Sequence, residues 1–379
     1  MKNIYFLTIC LLLNAVIKAQ QNDDPEKALI LEASYTGDIV NNLSGGLKTG
    51  HCYLGMANVC LGFDVEKAGF WKGGMFYINA ANTHGSTPSA IMLGDMQVAS
   101  NIEAGNHTYI QELWYKQSIG RIELTAGLQD LNVEFANSDL GALYLNSSFG
   151  ILPVISGNLA APIFPLTSLG LTVRWNITEK TTWINALYDG SPTDFDSNPY
   201  NIKWEFQSGD GILAITEFQH HQEINNLKGI YKLGFFSHNL FFESTLQSDF
   251  PDSLNNSIIG AYFYIDQQFW KQKDKSIGAF LHLGYSPSEM SKNNAYLGLG
   301  INFNGYLSRA KNDILGIAVA YEHFVEGIGC ETAIELTWNK IIHKDIYIQP
   351  DLQYIIHPSG TKNNLKNCLA ATLRLGMSF

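Results

Sequence analysis

Hydrophobic and polar positions alternate with a period of two along most of this chain, the pattern of strands with one apolar and one polar face. It is clearest on either side of a long irregular crossing at residues 131–168. In RIELTAGLQD, Ile122, Leu124, Ala126 and Leu128 take one face, while Arg121, Glu123, Thr125 and Gln129 take the other. In LGLTVRWNIT, Leu169, Leu171, Val173 and Trp175 oppose Thr172 and Arg174. Carried along the chain, the alternation predicts sixteen strands. The first eight are 29–40, 50–64, 74–83, 107–118, 121–130, 169–178, 181–189 and 210–220. The rest are 228–238, 257–270, 276–286, 295–304, 313–324, 330–340, 346–357 and 367–379.

The connections sort into two kinds. Taken alternately, one set is short (EKAGFWKG, SIG, NITEKT, HQEINNL, KQKDK, NGYLSRAKN and a turn around Ile341 to Asp345) and the other includes 84–106, 131–168, 190–209 and 239–256. A transmembrane β-barrel has short turns at one end and longer loops at the other, and an even strand count returns the chain to the short-turn side. The crossing 131–168 is then the third external loop. It far exceeds the usual connection of about 4–6 residues. It is also apolar and punctuated by Gly141, Gly150, Gly157, Pro153, Pro162 and Pro165. Such a segment lies against a surface, and the inside of a wide barrel offers one. The expected fold is all-β: a sixteen-stranded antiparallel transmembrane barrel with this loop folded into its lumen.

Residues 1–20 form an expected signal peptide, with Lys2, an apolar run from Ile4 to Ile17, and Lys18-Ala19-Gln20. Residues 21–379 read as one domain, with no repeat of fixed period and no linker. Cys10 follows Ile9 within the apolar run, too early for a lipoprotein cleavage box. No later stretch reaches about 18 consecutive apolar residues, so a membrane-embedded chain has to cross as a closed barrel. The formal charge of −11 and the absence of a Lys/Arg cluster argue against a nucleic-acid partner. The 18 Tyr, 21 Phe, 7 Trp and 34 Gly suit a barrel with aromatic girdles, but also soluble sandwiches and propellers. The final strand, NCLAATLRLGMSF, adds to the signal peptide and the sixteen strands in favour of the barrel: Leu369, Ala371, Leu373, Leu375, Met377 and Phe379 oppose Thr372, Arg374 and Ser378, although a soluble protein can end in the same way.

A barrel of sixteen strands is wide enough for an aqueous lumen, and parity assigns its lining. Ala318, Ala320 and Glu322, then Glu331, Glu335, Thr337 and Asn339, then Gln349, Asp351 and Gln353 are expected inside. Leu315, Ile317, Val319 and Tyr321, Ile334, Leu336 and Trp338, and Ile348, Leu352 and Tyr354 are expected outside. No GxSxG, HExxH, phosphate loop or GxGxxG occurs, so no enzyme is expected. His220-His221-Gln222-Glu223 reads as a turn, and Asp189, Asp194 and Asp196 as a solvated acidic loop. No metal and no cofactor is implied. Cys52 and Cys60 lie eight apart on one strand, about 27 Å, which forbids a bridge between them.

GLQDLNVEFANSDLGALYLNSSFGI (127–151) and APIFPLTSLG (161–170) resemble the carbohydrate-selective porin family (OprB type) of Gram-negative outer membranes. SGGLKTG (44–50), NTHGSTPSAIMLGDMQVASNIEAG (82–105), ELWY (112–115) and PDLQYIIHP (350–358) carry the same pattern. The resemblance implies passive passage of mono- or small oligosaccharides, and partners limited to sugars in transit, outer-membrane lipid and lipopolysaccharide, in a monomer or homotrimer. A sugar's hydroxyls need donors and acceptors on the channel wall, and its C–H faces stack on rings. Arg121, Glu123, Arg174, Glu331, Glu335, Asp351, Gln353 and Arg374 are candidates for the first role. Trp114, Trp183, Phe280, Tyr296 and Tyr347, with Phe149 and Phe164 from the crossing, are candidates for the second. Cross-strand pairing and packing against the loop compete with sugar contact at each of these positions. A general or differently selective porin, a plugged structural or adhesive barrel, and a soluble secreted lectin are the rival readings.

Overall fold

The computed structural model describes residues 27–206, 209–239, 257–287, 291–325, 327–361 and 365–379. The expected signal peptide (1–20) and most of loop 239–256 lie outside the described residues. Sixteen strands follow in order. The first eight are β1 (Leu29–Gly46), β2 (Gly50–Asp64), β3 (Gly74–Gly85), β4 (His107–Ile119), β5 (Ile122–Gln129), β6 (Ser168–Asn176), β7 (Thr181–Asp189) and β8 (Ile212–Ile224). The remainder are β9 (Leu227–Asn239), β10 (Ser257–Gln272), β11 (Lys275–Tyr285), β12 (Asn293–Asn304), β13 (Asp313–Phe324), β14 (Gly329–His343), β15 (Ile346–Ile356) and β16 (Lys366–Ser378). Each pairs antiparallel with its sequence neighbours, and β16 pairs with β1, with Arg374 opposite Asp38, to close the barrel. Closure removes the free edges that a lipid environment cannot hydrogen-bond.

The burial pattern is that of a soluble protein turned inside out. Leu171, Leu297, Leu299, Ile317, Leu336, Leu352, Leu373 and Leu375 are exposed, whereas Glu322, Glu331, Glu335, Thr337 and Gln353, on the opposite parity, are buried. No helix among the described residues is long and apolar enough to cross a membrane. Rings gather on the outer surface toward the short-turn end, with Trp183 stacked on Phe218 (5.3 Å) and Trp270 beside Tyr306 (6.2 Å). Trp183 therefore faces lipid and not the lumen, contrary to the sequence expectation. Its inward neighbours Ile184, Ala186 and Tyr188 are apolar too, because they pack under the crossing, and alternation fails there.

A second difference concerns β8. The strand runs to Ile224, so His220 to Glu223 lie within it, and the turn is Asn225–Asn226 alone. Both asparagines adopt positive φ (54° and 62°), the two-residue hairpin geometry that lets the flanking strands continue to the tip. Cys52, Cys60, Cys330 and Cys368 are free.

Candidate functional site

Beyond β5 the chain leaves the wall at Asp130, whose carboxylate accepts the Asn132 N–H (2.9 Å) and starts the short helix α1 (Leu131–Glu134). The same carboxylate accepts the Phe164 N–H (3.1 Å), so the outgoing and returning limbs of the crossing meet at one side chain. Burial pushes its pKa up to about 6.

From there the crossing is held by inward side chains, strand after strand. Glu217 of β8 accepts the Ala136 N–H (2.8 Å), and Asp266 of β10 accepts the Ser138 hydroxyl (2.6 Å) and the Leu140 N–H (3.2 Å). Tyr144 donates to Asn302 of β12 (2.8 Å). Glu335 of β14 accepts the N–H groups of Leu145 (2.6 Å) and Asn146 (3.0 Å). An irregular loop has backbone donors with no ladder partner, and buried carboxylates supply charge-assisted ones. Between these anchors Phe135, Phe149, Leu152 and Val154 pack against Tyr262, Phe280 and Tyr296.

The connection 86–106 is held in the same way. Glu331 accepts the N–H groups of Met96 (3.0 Å) and Gln97 (3.0 Å), and also that of Ser359 (2.8 Å) in the last connection. Asp38 accepts the Ser100 hydroxyl (2.7 Å). The two inserted segments meet each other where Asn101 N–H donates to the Leu145 carbonyl (2.8 Å) and Ser147 N–H to that of Val98 (2.9 Å). Within 86–106, burial raises Asp95 to about 6 and Glu103 to about 7.

Three of the expected site residues stay half-open and close together. Trp114 stacks on Tyr77 (4.8 Å between ring centroids), with Lys116 5.3 Å from the Trp114 ring centre. Lys116 sits 3.8 Å from both Glu123 and Glu134, and Arg174 pairs with Glu134. These four charges retain between 20% and 27% exposure, so solvent reaches each of them. An aromatic step beside two cations and two carboxylates offers a flat C–H-binding face together with donors and acceptors.

The remaining expected residues are placed elsewhere. Arg374 is buried and bonded to Asp38 through Nε (2.7 Å) and Nη2 (2.8 Å). Glu331 and Glu335 hold loop backbone. Asp351 accepts from Gln353 (3.1 Å), which in turn donates to the Ala99 carbonyl (2.8 Å). Phe149 is fully buried against Tyr144 and Phe280, while Phe164 is half-buried in the returning limb. Arg121 falls in the two-residue β4–β5 turn, exposed, where it donates to the Ile177 carbonyl of the next turn (2.8 Å). It is separate from the others because β5 begins only at Ile122.

The family model of the carbohydrate-selective porin, OprB family matches residues 48–379. The chain belongs to that family. A search among curated proteins found no match. Among solved structures, the high-pH structure of Pseudomonas putida OprB superposes with a TM-score of 0.84 at 18% identity, over 94% of this chain and 95% of that one. The low-pH structure of the same protein gives 0.61 at 17% identity, over 94% of each chain. Salmonella typhi OmpF in complex with daunomycin gives 0.58 at 8% identity, over 93% and 97%. At such identities the likeness concerns the fold, and the family match identifies an outer-membrane porin.

In this OprB-family chain, sequence reasoning missed Tyr77, Lys116 and Glu134 at the half-open cluster. Tyr77 and Lys116 had a signal: they share inward parity with Asn79 and Trp114 on their strands. Glu134 had none, since it lies in the crossing where no period applies.

Proposed function

We propose that this porin passes mono- or small oligosaccharides by diffusion through a bore narrowed by the crossing 131–168 together with 86–106. The half-open cluster of Tyr77, Trp114, Lys116, Glu123, Glu134 and Arg174 carries the reading. It combines a ring face with paired charges of both signs, the complement of a solute that is hydroxylated around its edge and apolar on its faces. Each contact has to be weak, about 1 kcal/mol, because a transported solute must also leave. Glu331, Glu335, Asp351, Gln353 and Arg374 act in this scheme by positioning the two inserted segments and not by touching sugar. Arg121 secures neighbouring turns. Phe149 stiffens the crossing, and Phe164 supports its return.

Liposome swelling with glucose, a disaccharide and an amino acid of matched size tests the proposal. Glucose is expected to enter faster than the amino acid. Rates ordered by size alone would replace sugar selectivity with a general porin. Absence of conductance steps in planar bilayers would replace the channel with a plugged barrel.

A further inference from the structure

The outer face of β6–β9 is built from rows of side chains in register. Nearest the short turns, Thr181, His220 and Tyr231 lie side by side, followed by Trp175, Trp183, Phe218 and Leu233. The next row is Val173, Asn185, Thr216 and Phe235, and the one beyond it Leu171, Leu187, Ala214 and Ser237. Leu171, Leu187 and Phe235 stand exposed, whereas Ala214 and Ser237 beside them are short. A groove of about 440 Å³ results. It opens on lipid rather than on the bore, and its size falls in the range of about 300–1,000 Å³ typical of small-molecule sites.

The groove is not wholly apolar. Trp183 Nε1 donates to the Thr216 hydroxyl (2.8 Å), which donates to Asn185 Oδ1 (2.8 Å). The amide oxygen of Asn185 is thereby occupied, while its NH2 group has no acceptor among the described residues. Hydrocarbon supplies none, and a polar group left unsatisfied there is costly. A carbonyl carried by the lipid itself would satisfy it.

The depth is right for an ester. Tryptophan rings mark the level at which head groups meet acyl chains. Asn185 lies two residues, about 7 Å along the strand, inside Trp183, where ester carbonyls give way to hydrocarbon. On the other side of the rings, Lys180 is exposed in the turn after β6 and Thr181 bonds His220 Nδ1 (3.0 Å), a cation and a polar pair at the level of a phosphate. The short turns mark the periplasmic end of such a barrel. We propose that this groove holds one glycerophospholipid of the periplasmic leaflet, with an ester carbonyl on Asn185 and an acyl chain along Ala214 and Ser237. The inference concerns the outer wall and does not depend on what the channel carries.

Native mass spectrometry of the full chain in a mild detergent tests it, with titration by a diester phosphatidylethanolamine, its diether analogue and lipopolysaccharide. The variants are N185L, which lacks the donor, A214F, which fills the groove, and L352F on the opposite wall as control; heat-modifiable gel mobility verifies that each barrel is folded. Wild type and L352F are expected to retain one diester lipid and to bind the diether about fivefold more weakly, the worth of one hydrogen bond. N185L is expected to bind the two equally, and A214F to retain neither. If either variant fails to fold, the other and the ester–ether comparison in the wild type decide. Equal binding of ester and ether by the wild type overturns the proposal, as does an undiminished ester preference in N185L or undiminished retention by folded A214F. Preferential retention of lipopolysaccharide that N185L loses also overturns it, in favour of a lipid of the outer leaflet.

Discussion

Replacing Arg374 with alanine tests whether this residue is a structural cation or a sugar ligand. Its guanidinium makes two bonds to Asp38, at 2.7 and 2.8 Å, and a third to Asn101 Oδ1 at 2.8 Å. Asp38 is 0% exposed and Arg374 6%, so water cannot simply replace the lost partner. Removing one side of a buried pair costs about 3–5 kcal/mol, mostly from the charge left behind. Ser100 still donates to Asp38 at 2.7 Å, which favours the lower half of that range. Because the pair joins β1 to β16, the loss falls on the seam that closes the barrel. The assay is the folded fraction against denaturant, read from heat-modifiable mobility, for Arg374→Ala and for Asp38→Asn/Arg374→Ala. The double variant is expected to recover more than half of the loss, since no uncompensated carboxylate remains. A loss below about 1 kcal/mol in the single variant, well short of the buried-pair range, would refute the reasoning. So would a double variant no better than the single.

Glu335→Ala deprives the Leu145 and Asn146 N–H groups of their acceptor, at about 1–3 kcal/mol each if water does not reach them. Single-channel recordings are expected to show added open-channel noise and faster disaccharide entry. A trace identical to wild type would remove the anchor role. Trp114→Ala is expected to weaken sugar block of the current several-fold with little change in conductance, and unchanged block would release Trp114 from the site. Protonation of 86–106 gives a pH test. Asp95 and Glu103 are raised by burial to about 6 and about 7, from ordinary values of 3.8 and 4.5. The folded segment thus retains protons that the released segment gives up. Its anchoring is full at pH below about 4, weakens as pH rises past the ordinary values, and has lost this contribution above about pH 7. A spin label at exposed position Ala90 is expected to be more mobile at pH 8 than at pH 5, and Asp95→Asn/Glu103→Gln is expected to flatten that difference. Equal mobility in the wild type at both pH values would contradict it.

What could be read from the sequence, and what could not, divides along one physical line. Parity was legible wherever one face of a strand meets lipid and the other meets polar groups, because a slip of one residue would invert every side chain. Hence Ile317, Leu336 and Leu352 outside and Glu322, Glu335 and Gln353 inside were all assigned from alternation. The signal vanished where both faces see similar surroundings. On β7, apolar Ile184 and Ala186 lie under the crossing, so parity alone does not tell which way Trp183 faces. At the tip of β8, both faces are polar, so alternation ends at His220 although the strand continues to Ile224. Long-range partners left no trace at all. Arg374 finds Asp38 across 336 positions, and Glu335 finds Leu145 across 190. A candidate ligand list drawn from parity names every inward charge, and only coordinates distinguish those that hold backbone from those that face solvent.

In the proposed channel the same division between anchoring and open carboxyls governs the bore. A loop can narrow an aqueous channel only if water does not compete it away from the wall, and an irregular backbone has many donors that water satisfies equally well. Buried carboxylates shift this balance, because a charge-assisted bond is worth about twice a neutral one. Glu217, Asp266, Glu335 and Glu331 are so used, each receiving N–H groups from an inserted segment. These carboxyl groups are thereby occupied by loop backbone. Left half-open is the remaining set, Lys116 and Arg174 against Glu123 and Glu134, two of each sign within one linked group, which the proposed function places on the solute's path. In the proposed function that near-balance would make ring stacking and hydroxyl pairing, rather than net attraction of an ion, the local basis for preference.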